Sequence, residues 1–131
     1  MSPDSDGTFQ ASDHGLTVTA RATAGKERRA HVCLTGDIDL AASAVLSATI
    51  DWLTALAPVS VLVDLADVTF ACSTLPNFVV RIRRAVPDGT ELVLWRARPA
   101  TGWVLRVTDM ATIATLRGEA ARPHCRVAAR S

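Results

Sequence analysis

Apolar and polar residues alternate from Leu16 to Thr23, with Leu16, Val18, Ala20 and Ala22 on one side. A period of two marks a strand with one buried face. Ala24-Gly25-Lys26-Glu27 reads as a turn, and His31 to Thr35 resumes as a strand, so the two runs predict a hairpin. Gly36-Asp37-Ile38-Asp39 breaks the pattern, and the period then changes. Val45, Leu46, Thr49, Ile50, Leu53 and Leu56 recur at helical spacing, with Asp39 placed to cap that helix near Leu40 and Pro58 to close it. Val59 to Leu65 is nearly all apolar, as suits a central strand covered on both faces. Leu75, Phe78, Val79, Ile82 and Val86 form the clearest amphipathic stripe, with Pro87-Asp88-Gly89 as the turn after it. Glu91 to Trp95 predicts a strand, Thr101 to Val107 a short helix and Thr112 to Leu116 a last short strand.

The order is strand, strand, helix, strand, helix, strand, helix, strand. That alternation predicts an α/β fold: one small domain with a mixed, mostly parallel sheet of about four to five strands and three to four helices. Residues 16–117 form the folded unit. Residues 1–15 are polar, with little periodicity, and predict a disordered segment; residues 118–131 predict a tail that could be partly helical.

Composition changes this picture little. The chain has 131 residues, 49% of them apolar and 21% charged, which suits one globular domain with its own core. A net charge of +1 gives no general attraction to nucleic acid or anionic membrane. No apolar run is long enough to span a bilayer and the start is acidic and polar, so a cytoplasmic protein is expected. Three widely spaced cysteines, Cys33, Cys72 and Cys125, suit neither a disulfide framework nor a metal site. Neither a P-loop nor a G-x-G-x-x-G follows any strand, and the chain lacks tyrosine.

Candidate chemistry centres on VLVDLADVTFACSTLPN, residues 61–77. Here a strand-like run leads to two hydroxyls, Ser73 and Thr74, at the start of the amphipathic helix. Either could cap the helix, and Pro76 fits its first turn. A helix start also favours a phosphate, because unpaired N–H groups and the positive end of the dipole meet there. Asp37 and Asp39 close a strand expected beside this one, and loops at the carboxyl ends of parallel strands gather on one edge. His14, His31 and His124 are not placed to act as a base for either hydroxyl, so a hydrolase is not expected. Cys72 could be a reactive thiol at a helix start. Arg81, Arg83, Arg84, Arg96 and Arg98 could bind nucleic acid, although the near-neutral charge speaks against it.

The GDID turn, the helix and linker after it, VLVDLADVTF with its hydroxyl-bearing turn, ELVLW, and VLRVTDMATIATL occur in an order that resembles a STAS domain. That is the fold of bacterial anti-sigma factor antagonists, and the resemblance spans about residues 16–117. It implies a non-enzymatic regulator of transcription without a cofactor. Such a protein binds an anti-sigma factor that is also a serine/threonine kinase, and touches neither nucleic acid nor membrane directly. It implies Thr74 as phospho-acceptor, with Cys72, Ser73 and Leu75 as neighbours and Asp37, Asp39 and Asn77 on the rim that meets the partner. Cys72 stands where the family keeps an acid, and Leu75 where it keeps a glycine. A STAS module that binds partners without a switch, in another signalling or transport complex, is the alternative.

Overall fold

The computed structural model describes residues 7–23 and 27–119. Six strands form one sheet in chain order. β1 (Thr8–Asp13), β2 (Leu16–Ala22) and β3 (Arg29–Ile38) run antiparallel to one another in turn. β3, β4 (Ser60–Ala71), β5 (Glu91–Ala97) and β6 (Thr115–Glu119) are parallel neighbours. The crossovers contain α1 (Ser43–Leu56), α2 (Thr74–Ala85) and α3 (Pro99–Val107). Each crossover steps to the next strand in the same direction, so a common right-handed connection places all three helices on one face.

The core lies between that face and the helices. Val18, Val32, Leu34, Val61, Val63, Leu65, Leu92 and Leu94 point toward it from the sheet. Leu46 and Leu53 of α1, Phe78, Val79 and Ile82 of α2, and Leu105 of α3 meet them. The two helical stripes read from the sequence are therefore the two main core faces. α1 ends at Ala57, whose left-handed backbone (φ 48°) turns the chain before Pro58.

Several boundaries differ from expectation. Residues 8–13, expected to be disordered, form β1. Phe9 and Ala11 pack against the core, and the Phe9 ring lies 5.8 Å from that of Trp52. The β1–β2 hairpin closes through His14 and Gly15, both at positive φ, the backbone that a two-residue hairpin turn requires. The strand expected at His31–Thr35 runs on through Gly36-Asp37-Ile38, because β4 is also longer than expected and pairs with it to the end. The last strand starts at Thr115, after a 3₁₀ turn at Met110–Thr112, and takes in Gly118 and Glu119 from the expected tail. The rest of that tail, with Cys125 and His124, and the Ala24-Gly25-Lys26 turn lie outside the described residues. Cys33 is disulfide-bonded, contrary to the reading of the cysteine spacing, and Cys72 is free. No described helix is long and apolar enough to cross a membrane.

β4 is central and is buried on both faces, as expected, although no described helix covers the second. That face carries a fully buried carboxylate, Asp64. Asp64 accepts a hydrogen bond from the Ala66 N–H at 3.0 Å and pairs with the Arg96 guanidinium. Strict alternation along β5 would turn Arg96 toward the core, since Leu92 and Leu94 face it. A left-handed backbone at Arg96 (φ 60°) returns the side chain to Asp64, beneath which Trp95 lies 4.2 Å from the guanidinium carbon. Burial alone would raise the Asp64 pKa. Nearby His31, the Ala66 N–H and Arg96 outweigh burial and hold the carboxyl below its ordinary value.

Replacing Asp64 with Asn should break the buried ion pair with Arg96, at a cost of about 3–5 kcal/mol in urea unfolding. Because the folded-state pKa is depressed, the contribution of Asp64 is present above the ordinary carboxylate value. It is lost as pH falls below about 4. Unfolding midpoints measured at successively lower pH through that range should fall more steeply for wild type than for Asp64→Asn.

Candidate functional site

The parallel ends of β3 and β4 bring the two sequence motifs together. Ile38 pairs with Ala71 and Asp37 with Phe70, after a shift of register at Gly36. Gly36 has φ +110°, and a Cβ there would run into the carbonyl oxygen of Gly15. Glycine is thus required where β3 bends past the first hairpin. Beyond the bend, the Asp37 carboxylate accepts a bond from the Thr69 hydroxyl at 2.6 Å, tying the two strands. Asp39 accepts from the Ala41 N–H at 3.0 Å and caps a 3₁₀ turn, Leu40–Ala42, that leads into α1. The expected cap is therefore present, one short turn ahead of the α-helix.

The turn after β4 docks on the same place. The Cys72 N–H and thiol both lie against the Ile38 carbonyl, at 3.4 and 3.6 Å. The thiol also reaches the Thr74 hydroxyl oxygen at 3.3 Å. Cys72 is thus used within the turn, which leaves little basis for a thiol reagent there. Ser73 stands at the N-cap of α2, but its backbone is helical (φ −61°, ψ −14°) and its hydroxyl makes no cap bond. A capping side chain needs an extended backbone to fold back on the next N–H groups. The expected cap is therefore absent, and Ser73 is left exposed. Thr74 is only 7% exposed, and Leu75 is fully buried in the core.

A shallow cleft of about 160 Å³ runs between the start of α1 and the start of α2. Leu40, Ser43, Ser73, Thr74, Asn77 and Arg81 line it. Arg81 donates to the Ser47 hydroxyl at 3.0 Å and so ties α2 to α1. Of the rim residues expected from the sequence, Asn77 lines the cleft, whereas Asp37 and Asp39 are engaged in bracing its edge. Leu40 and Arg81 were missed. Arg81 lies seven residues beyond Thr74 on one helix face, a spacing that could have placed it. Leu40 is apolar and 80% exposed, which only the packing reveals. Phe70, paired with Asp37 at the same edge, is 54% exposed.

The other candidate arginines are largely tied to the chain itself. Arg83 donates to the carbonyls of Thr90 and Pro87, closing the turn after α2. Arg98 donates to the Ala66 carbonyl, and Arg96 belongs to Asp64. No group of side chains able to hold a metal ion occurs among the described residues.

Two solved structures similar to this chain are anti-sigma factor antagonists. One, from Mycobacterium paratuberculosis, has a TM-score of 0.65 and 22% sequence identity over 76% of this chain and 85% of its own. The anti-sigma factor antagonist SpoIIAA in its unphosphorylated form has a TM-score of 0.61 and 12% identity over 85% of this chain and 94% of its own. The chain has the STAS fold. No protein-family model matches the sequence, and no curated protein does. At these identities the likeness establishes the fold alone.

Two substitutions test how the edge is built. Gly36→Ala should destabilise the protein by about 1–3 kcal/mol, the cost of forcing a side chain into a strained backbone region. Asp39→Ala should cost about 0.5–2 kcal/mol as a lost cap. Both are read from chemical denaturation, and an unchanged midpoint for either would remove the role assigned to it.

Proposed function

We propose that this protein is an anti-sigma factor antagonist acting in the cytoplasm. It binds an anti-sigma factor that is also a serine/threonine kinase, and so governs the release of a sigma factor. It performs no catalysis and needs no cofactor. The observation that carries this reading is the exposed edge itself. Leu40 and Phe70 offer apolar contact, and Asn77 and Arg81 offer polar contact, around a hydroxyl-bearing turn at a helix start. Anchors of that kind beside a polar rim suit a protein partner.

Phosphorylation at the turn would switch the binding. A phosphate there carries nearly two negative charges at pH 7. In the free protein the N-terminus of α2 stabilises it by about 0.3–1 kcal/mol. Within a complex it would be buried without a partner, at a cost of about 3–5 kcal/mol. Binding would then weaken by about two to three orders of magnitude. The STAS resemblance favours Thr74 as the acceptor. Its burial adds a condition: the first turn of α2 must open for the transfer, whereas Ser73 is reachable as the chain stands.

The same burial favours a second reading, a STAS module that binds its partner without a switch. With the Thr74 hydroxyl against the Cys72 thiol and Leu75 in the core, the turn encloses the hydroxyl that a kinase would need to reach.

Intact-mass measurement and peptide mapping of protein purified from its own cells distinguish the two. The switch predicts one added phosphate on Thr74 or Ser73. It also predicts that Ser73→Glu, a change at an exposed site, weakens partner binding while Ser73→Ala does not. Unmodified protein, together with equal affinities for the two variants, would establish the unswitched module instead.

A further inference from the structure

The face of the sheet opposite the helices has a buried centre of its own. The core takes Val32 and Leu34 from β3 and Leu92 and Leu94 from β5, so alternation turns Cys33 and Val93 to the other side. Both are buried there, Cys33 at 9% and Val93 at 7% exposure, and Asp64 beside them is at 0%. They stand in two adjacent rows across three strands. Cys33 pairs with Asp64 and Asp64 with Trp95, while His31 pairs with Leu62 and Leu62 with Val93. No described helix or strand lies over these rows.

The cysteines indicate what covers them. Cys33 is disulfide-bonded, whereas Cys72 is free. The chain has three cysteines, which leaves Cys125 as the partner of Cys33. Cys125 follows Glu119, the last residue of β6, by six positions. Six residues reach at most about 20 Å. β6 is three strands from β3, which is about 14 Å at the usual strand spacing. The connection is therefore long enough, and its direct course crosses β5 and β4 above Trp95 and Asp64. The end of β6 already closes on that side. Gly118 has φ +65°, and a Cβ there would stand 2.8 Å from the Trp95 indole nitrogen. Glycine lets the backbone approach this ring, which belongs to the same face as Asp64.

We propose that a Cys33–Cys125 disulfide latches residues 120–131 across the second face of the sheet, and that reduction of this bond releases them and opens the face. The reductant is a dithiol. One of its thiolates attacks a sulfur of the bond and forms a mixed disulfide, and its second thiol then displaces the protein sulfur. Cys33 and Cys125 end as thiols, the reductant ends as a disulfide, and two electrons and two protons pass to the protein. Intracellular disulfides are mostly transient and redox-sensing, so in the cytoplasm proposed above the latch acts as a switch. That role rests on the location, whereas the latch itself does not, and purified protein tests it.

Iodoacetamide labelling in denaturant, read by intact mass, counts the free thiols of the full chain. Air-oxidised wild type should take one label, on Cys72, and dithiothreitol should raise the number to three. Oxidised Cys125→Ser should take two. Limited trypsin digestion reads the cover. Cleavage after Arg122 and Arg126 should be about tenfold slower in oxidised than in reduced wild type, because a protease cuts a docked segment only when it opens. Cys125→Ser should be cut at the reduced rate under both conditions. Cleavage within residues 27–119 should not change on reduction, which separates release of the segment from unfolding of the domain. Three free thiols after oxidation, or a single label on Cys125, would overturn the latch. Equal cleavage of the oxidised and reduced segments would overturn the cover.

Discussion

β4 is held between parallel neighbours, and the register of its pairing with β3 governs the candidate site. Ile38 must lie beside Ala71 for the Ile38 carbonyl to receive the Cys72 N–H and thiol. That register exists only because β3 shifts at Gly36, where the backbone is left-handed and presses on Gly15. One glycine therefore connects the first hairpin, the Asp37–Thr69 tie and the position of the turn that begins α2. Strand pairing is an all-or-none matter of register, so a small error here would displace the whole edge.

The opposite face of the sheet is organised by charge. Asp64 is buried there and kept ionised by His31, the Ala66 N–H and Arg96, and the unusual backbone of Arg96 turns it away from the core side. Removing either partner breaks a charge pair in a poorly hydrated place, and such pairs act as constraints more than as sources of net stability. The result is a sheet with a purely apolar side under the helices and an ionic centre on the other. Two clefts lie at the edge reached by the carboxyl ends of the parallel strands, one flanked by β3 and β4 and the other by β5 and β6. The first pairs exposed apolar residues with hydroxyls.

Much of the fold was legible because periodicity reports which face is buried. The stripes of α1 and α2, the β2–β3 hairpin and the Asp39 cap are local features, and each was placed from neighbouring residues alone. β1 was missed because Phe9 and Ala11 alternate too weakly beside a polar start, and because His14-Gly15 lacks the usual asparagine or aspartate of a tight hairpin. At the candidate site, Ser73 and Thr74 were found, yet their roles were not. Which hydroxyl is exposed depends on the turn at Cys72, and that turn depends on a carbonyl 34 residues earlier. Val59 to Leu65 was read as a strand covered on both faces, and it is buried on both; the local pattern did not reveal that Asp64 is tolerated there by Arg96, a residue far along the chain.

The sequence by itself determined the order of elements, the α/β class and the location of a hydroxyl-bearing helix start, since these rest on spacing and on residues close in the chain. Tertiary structure alone decided that Thr74 is enclosed while Ser73 is open, and that Leu40 stands exposed beside them. Exposure is set by which distant segments pack together. Register and crossover geometry fix that packing, and no local pattern encodes it.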